Sequence, residues 1–300
     1  MDTDLYDAPQ LQAVPSRWFE QSPDPVLVTD PDGTIRYVNP AFERVTGYGR
    51  GEALGRTPAM LKSGIHEPDF YRGLWQQLLA GKPFRAVFVN RRKGGELFHA
   101  ENVIWPLIDA DGRIAAIVCE SRDVSERVRS IEKLAHAATH DPLTDLPNRT
   151  LFLDRLGQAL RQATRRNETV AVAIMDIDRF RDTNNIFGHP AGDAVLRAVA
   201  RRTEAYVREA DTVARIGGDE LALLLPGADD HAAAVLEKVR AANAVPVEFD
   251  ERSIGVSVSI GACNFPTDGR DVEDLHKRAD VAMYEAKRSG GNRVRFYGDK

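Results

Sequence analysis

Hydrophobic and polar positions along the chain fall into two stretches of different rhythm. In the first, Val26-Leu27-Val28-Thr29 is a short apolar run, Pro31-Asp32-Gly33 a turn, and residues 34–38 a return strand. Asn39-Pro40 then opens a short helix, with Asn39 as cap and Pro40 at the first helical position, where a missing N–H costs nothing. Residues 68–79 put Phe70, Tyr71, Leu74, Trp75 and Leu78 on one face of a longer helix. Strands at 84–91, 97–107 and 113–121 follow, separated by the turn sequences Lys93-Gly94-Gly95-Glu96 and Asp109-Ala110-Asp111-Gly112. From 124 to 140 the period lengthens. Val124, Val128, Ile131, Ala135 and Ala138 step by four and three, with Leu134 alongside and charged residues flanking them. That pattern fits the seam of a two-stranded coiled coil, and equally a helix laid on its own domain.

The second stretch alternates helix and strand. We expect a helix at 150–165, a strand at 170–175, a polar loop at 179–189 and a helix at 191–209. A hairpin around Gly217-Gly218, a helix at 230–243, a strand at 256–263, a helix at 272–288 and a last strand at 294–297 complete it. The whole reads as α/β (α+β): an antiparallel sheet with flanking helices, a helical connector, then a palm-like central sheet surrounded by helices. The expected divisions are a flexible leader (1–15), a first domain (16–123), the connector (124–140) and a second domain (141–300).

Composition changes this picture little. A chain of 300 residues accommodates two cores. Its net charge of -5 argues against a general nucleic-acid binder. Cys119 and Cys263 sit in apolar runs and read as buried small hydrophobes in a reducing compartment. No apolar run reaches membrane-spanning length, so a soluble, cytoplasmic protein is expected.

Candidate chemistry concentrates in two acidic stretches. Strand 170–175 runs into Asp176-Ile177-Asp178, and the hairpin glycines, expected there for their positive φ angles, lead directly into Asp219-Glu220. Adjacent carboxylates beside buried strands repel one another unless a cation lies between them, and acids gathered at strand ends are a means of holding Mg²⁺.

The first domain resembles the PAS sensor family, on Asp32-Gly33, Val38-Asn39-Pro40-Ala41-Phe42, Thr46-Gly47-Tyr48, Asn90-Arg91-Arg92-Lys93-Gly94-Gly95 and the closing Asp123-Val124-Ser125-Glu126-Arg127. That resemblance gives no ligand. The Asn-Cys-Arg-Phe signature of a flavin photosensor is missing from the sequence. His66 or His99 could ligate haem, although a lone histidine more often serves as a surface or hydrogen-bonded residue.

The second domain is similar to the GGDEF family of diguanylate cyclases. The matching stretches are residues 141–149, 175–180, 187–193, 215–220, 257–261 and 279–287. The resemblance implies condensation of two GTP into cyclic di-GMP and two pyrophosphates, by a homodimer. It assigns two Mg²⁺ (or Mn²⁺) to Asp176, Asp219 and the Ile177 carbonyl, with Glu220 completing the acidic cluster. Asn184 and Asp193 would read guanine. Arg181 and Lys287 would bind phosphates, helped by the Arg179 and Phe180 amides. Arg208 and Asp211 would form a product-inhibition site. Because two nucleotides must meet, the coiled-coil reading of 124–140 is preferred. Three residues depart from the family pattern: Leu221 for the motif's phenylalanine, Asn185 for an aspartate, and Gly291 for an arginine that contacts phosphate. Those departures support an alternative, a catalytically weak module that senses GTP or cyclic di-GMP. The chain could also be the front of a longer protein carrying a phosphodiesterase domain.

Overall fold

The computed structural model describes residues 16–227 and 231–299, so the expected leader lies outside the described residues. The chain divides into two compact units between Lys133 and Leu134.

The first unit contains α1 (Ser16–Gln21), β1 (Val26–Thr29), β2 (Ile35–Val38), α2 (Pro40–Thr46), α3 (Arg50–Ala53) and a 3₁₀ turn (Pro58–Leu61). Next come α4 (Pro68–Leu79), β3 (Phe84–Arg91), β4 (Leu97–Ile108) and β5 (Ile114–Asp123). The strands form one antiparallel sheet in the order β2-β1-β5-β4-β3. Asn39 is the knot of its near end. Its Oδ1 accepts from Phe42 N–H and Val26 N–H, both at 2.9 Å, while its Nδ2 donates to the Phe19 and Asp24 carbonyls. One side chain thus caps α2 and joins it to β1.

Strand alternation sorts the rest. Leu27, Phe88, Ile104, Ile117 and Cys119 face inward onto Phe42, Leu61, Leu74 and Leu78, whereas Val26, Val28, Ala116 and Val118 pack on the other face with Phe19 and Trp105. His66 is a hydrogen-bonded residue: its Nε2 accepts from Val89 N–H at 2.8 Å, and its ring stacks on Phe70. Cys119 and Cys263 are both buried and free, and burial pushes each thiol up to about 12.

Helix α5 (Ser125–Thr139) spans the division between the units. Val124 just before it is buried, but Ile131 and Leu134 are 58% and 70% exposed, so its apolar stripe is unpartnered among the described residues.

The second unit contains α6 (Arg149–Arg166), β6 (Val170–Ile177), α7 (Phe180–Phe187), α8 (His189–Glu204), β7 (Thr212–Arg215) and β8 (Glu220–Pro226). It continues with α9 (Ala232–Asn243), β9 (Val247–Phe249), β10 (Arg252–Ile254), β11 (Val258–Phe265), α10 (Val272–Arg288) and β12 (Val294–Phe296). Its main sheet runs β12-β11-β6-β8-β7, with only β11 and β12 parallel. Central β6 is buried at every position because helices cover both faces. Ala171, Ala173, Met175 and Ile177 pack with α8 and α9, whereas Val170, Val172 and Ile174 pack with α6 and α10.

Three expectations need correction. Residues 179–189 are not a loop. Phe180, Asn184 and Phe187 are spaced four and three apart, and the helix they form, α7, lies on α8 with both phenylalanines against the core. Helix α8 stops at Glu204, short of residue 209. The Asp211 carboxylate captures the Arg208 N–H at 2.8 Å, and Asp211 N–H returns to the Arg208 carbonyl, closing a turn that competes with the helix. Strand 256–263 is shifted to β11, and the short β9–β10 hairpin before it was not foreseen, because three-residue strands carry no readable alternation.

Candidate active site

Sheet register brings the acidic stretches together. Asp176 lies within β6 directly opposite Glu220 of β8, and Ile177 N–H points at the Asp219 carbonyl at 3.4 Å. Asp176 has the same parity as Val172 and Ile174, so it emerges on the face covered by α10. There Lys287 Nζ meets its Oδ2 at 2.6 Å. Its other oxygen, Oδ1, is buried with no hydrogen-bond partner. Burial lifts the Asp176 carboxyl to about 6, with the Asp219 and Glu220 charges adding to the rise and Lys287 opposing it.

The positive φ angles expected of the hairpin glycines are absent at both Gly217 and Gly218. At Gly217 a Cβ would come within 2.8 Å of Glu220 Oε2, so a side chain there would push that carboxylate aside. Arg215, just before the turn, is half of a brace that the residue-by-residue reading missed. Its guanidinium donates to both oxygens of Asp141 at 2.9 and 3.1 Å, and to the Gly218 carbonyl at 2.7 Å. Burial would raise the Asp141 carboxyl, but hydrogen bonds from Thr144 and Arg215 outweigh it and hold it below the usual range. The strict arginine-to-aspartate pairing across more than seventy positions could not be seen as a contact in the sequence.

The donor set fits a divalent cation. It offers an orphaned carboxylate oxygen, a second and a third acid beside it, and hard oxygen chemistry throughout. Among the described residues no three His, Cys, Asp or Glu side chains already stand as a cage. The acids are neighbours through backbone register, and Lys287 holds one of them.

Residues 138–293 match the family model "Diguanylate cyclase, GGDEF domain", and residues 15–124 match the PAS fold. The chain belongs to the GGDEF diguanylate cyclase family. Its GGDEF domain follows a PAS domain. DgcM, a diguanylate cyclase of Escherichia coli, is 31% identical over 93% of this chain and 67% of its own length. The bifunctional diguanylate cyclase/phosphodiesterase MucR of Pseudomonas aeruginosa is 42% identical over 56% of this chain. The chain spans only 25% of MucR and 25% of the probable cyclase DgcE. Among solved structures, the GGDEF domain of TpbB from P. aeruginosa (38% identity, TM-score 0.51) covers 52% of this chain and 99% of its own. The coiled coil and GGDEF domain of DgcB from Caulobacter crescentus, in complex with c-di-GMP (32%, TM-score 0.53), covers 57% and 92%.

Elsewhere in the GGDEF domain, Asn184 on α7 presents a buried Oδ1 without a partner, and Gly192 on α8 makes room for it. Asp193 follows on α8 and is half-buried, while Arg181 and Asn185 are exposed. Arg179 adopts φ 56 and turns the chain from β6 into α7, with Phe180 opening that helix. Leu221 is fully buried opposite Met175, so the motif's last position remains a core position. Arg208 is exposed, in a turn separate from the acidic site.

Asp178 was not singled out from the sequence. Its carboxylate accepts from Ser257 Oγ and Ser259 Oγ at 2.6 Å and from Asn292 N–H at 2.9 Å, tying β11 to the loop after α10. Gly291 has φ +72, and a Cβ there would come within 3.0 Å of that carboxylate. The departure at 291 is therefore built into the local structure.

Proposed function

We propose that the chain is a PAS-regulated diguanylate cyclase that joins two GTP into cyclic di-GMP with release of two pyrophosphates. The observation that carries this reading is the buried, half-paired Asp176 set by register against Glu220 and Asp219. The names of DgcM and TpbB as diguanylate cyclases support it, as does the c-di-GMP complex of the DgcB GGDEF domain.

Asp176, Asp219 and the Ile177 carbonyl would hold Mg²⁺ or Mn²⁺, two per site. The ions supply charge neutralisation at the phosphates and an acidified ribose 3′-hydroxyl. The protein's own groups do the rest. Glu220 completes the anionic floor. Lys287 exchanges Asp176 for the β- and γ-phosphates, joined by Arg181 and by the backbone N–H groups of Arg179 and Phe180. Asn184 and Asp193 accept from guanine N1–H and the 2-amino group, donors that adenine lacks, which selects GTP over ATP. The 124–140 connector brings two domains together through its exposed stripe. Product binds at Arg208 and Asp211, away from the acids, and slows the enzyme. Use of GTP places the protein in the cytoplasm; among the described residues no helix is long and apolar enough to cross a membrane.

Gly291 favours a second reading, a module that binds guanine nucleotide without turning it over, because position 291 itself offers no side chain to phosphate. Incubating nucleotide-stripped protein with Mg²⁺ and GTP, followed by chromatography, separates the two. Cyclic di-GMP with two equivalents of pyrophosphate is the expected result. GTP that binds and is recovered unchanged would establish the sensing module instead.

A further inference from the structure

The first unit holds a cavity of about 310 Å³, partly open to solvent, between the inward face of its sheet and helices α2 and α4. Most of its wall is apolar, formed among others by Leu27, Phe42, Leu74, Phe88, Ile104 and Ile117. Asn102 interrupts this wall. It is 7% exposed and lines the cavity, and its Oδ1 is buried with no hydrogen-bond partner. Register puts Ser121 of β5 directly opposite it, also on the cavity wall. Asn90, equally buried, lines the wall from β3.

An amide at an inward strand position is costly when its oxygen is left unpaired, and an apolar residue of similar shape would serve the fold better. An orphan oxygen is not by itself a site. Asn243 Oδ1 is also unpartnered, but that amide is fixed between helices by its own donors to Thr203 and Val239. Asn102 differs in lining a space that can hold a ligand. Charge is confined to the rim, where Asp32 and Lys62 are both exposed and Lys62 Nζ lies 3.9 Å over the Tyr71 ring. Nothing on the inner wall would compensate a buried charge.

We propose that this cavity binds a small, uncharged, ring-sized organic molecule whose N–H or O–H donor pairs with Asn102 Oδ1. The apolar wall holds the body of the ligand and the amide fixes its orientation, the ordinary division of labour in small-molecule sites, with a volume at the low end of their range. A donor-bearing ligand therefore outcompetes a shape-matched one without a donor, although the latter is the more hydrophobic.

Three probes test this by calorimetry on the full chain: indole, benzothiophene (the same shape with sulfur for N–H) and indole-2-carboxylate. Indole is expected to bind at least about tenfold tighter than either of the others, the effect of one hydrogen bond to an otherwise unpaired buried group. In Asn102→Leu, which keeps the volume and removes the acceptor, the preference for indole over benzothiophene should vanish. If that variant fails to fold, the ratio in the unaltered protein decides. Absence of indole binding, equal or tighter binding of benzothiophene, equal binding of the carboxylate, or an unchanged preference in folded Asn102→Leu would each overturn the proposal.

Discussion

Asp176 and Asn102 are both buried, and each has one side-chain oxygen that no described group engages, yet they sit in opposite settings. Around Asp176 are charges: Lys287 on one oxygen, Asp219 and Glu220 close enough to raise its pKa. Around Asn102 is an apolar wall with uncharged amides and a hydroxyl on it. In the GGDEF domain the site's character comes from which charges the backbone register collects. In the PAS domain it comes from a shape with one polar anchor. A charge cluster is built from a few fixed residue types and leaves a motif, whereas a cavity can be lined in many ways and leaves none.

The largest expected effect lies on the charged side of this contrast. Asp176→Asn or Asp219→Asn should lower GTP turnover by about a hundredfold or more while the protein stays folded, measured by pyrophosphate release and circular dichroism. Asp176 also makes a prediction about pH. Its folded carboxyl is raised above the ordinary aspartate value of 3.8 to about 6, so the folded state binds the proton more tightly than the unfolded state. The metal-free protein should therefore lose stability from this group as pH rises from about 4 through 6, by about 1–3 kcal/mol in all. Asp176→Asn should flatten that portion of the melting profile. A profile unchanged by the substitution would show that the register does not place Asp176 in a strained anionic cluster.

The next effect is structural. Arg215→Ala strands the Asp141 carboxylate and frees the Gly218 carbonyl, and should destabilise the second unit by about 2–3 kcal/mol in thermal unfolding. The loss should shrink below about pH 4, because the depressed Asp141 carboxyl contributes stability above its ordinary pKa and forfeits it as pH falls. An equal loss at pH 3 and pH 7 would assign the brace to packing.

Sequence carried the elements that depend on local chemistry. The Asn39-Pro40 cap, helix 68–79 and helix 272–288 stand where the pattern places them, because caps and amphipathic faces are written in neighbouring residues. That Asp176, Asp219 and Glu220 lie in or beside the ends of two strands was legible too. What stayed hidden were long-range contacts. Asp178 gathers Ser257, Ser259 and Asn292 from residues far along the chain, and Glu220 folds back against Gly217. The cavity was hidden for the same reason. Asn102 reads as one polar residue in an alternating strand until β5 and α4 close over it.

Smaller effects test how the two kinds of site are connected. Glutamate at Val128 and Ile131 should shift the protein toward monomer in sedimentation and lower turnover several-fold at micromolar concentration, because a charge in a coiled-coil seam costs association more than folding. Unaltered self-association would make α5 a spacer. Arg208→Ala should leave the initial rate of nucleotide-stripped enzyme within about twofold, while raising the concentration of added cyclic di-GMP needed for half inhibition by about tenfold. Identical inhibition curves would reduce Arg208 and Asp211 to the turn they close.

The central claim, that β6 and β8 together form a cation site for guanine nucleotide, is tested most directly by counting bound metal. Electron paramagnetic resonance of Mn²⁺ titrated into stripped protein with a non-hydrolysable GTP analogue should show about two protein-dependent Mn²⁺ per protomer. Asp176→Asn should lower that number or weaken binding at least about tenfold. The same stoichiometry and affinity in Asp176→Asn as in the unaltered protein would contradict the account.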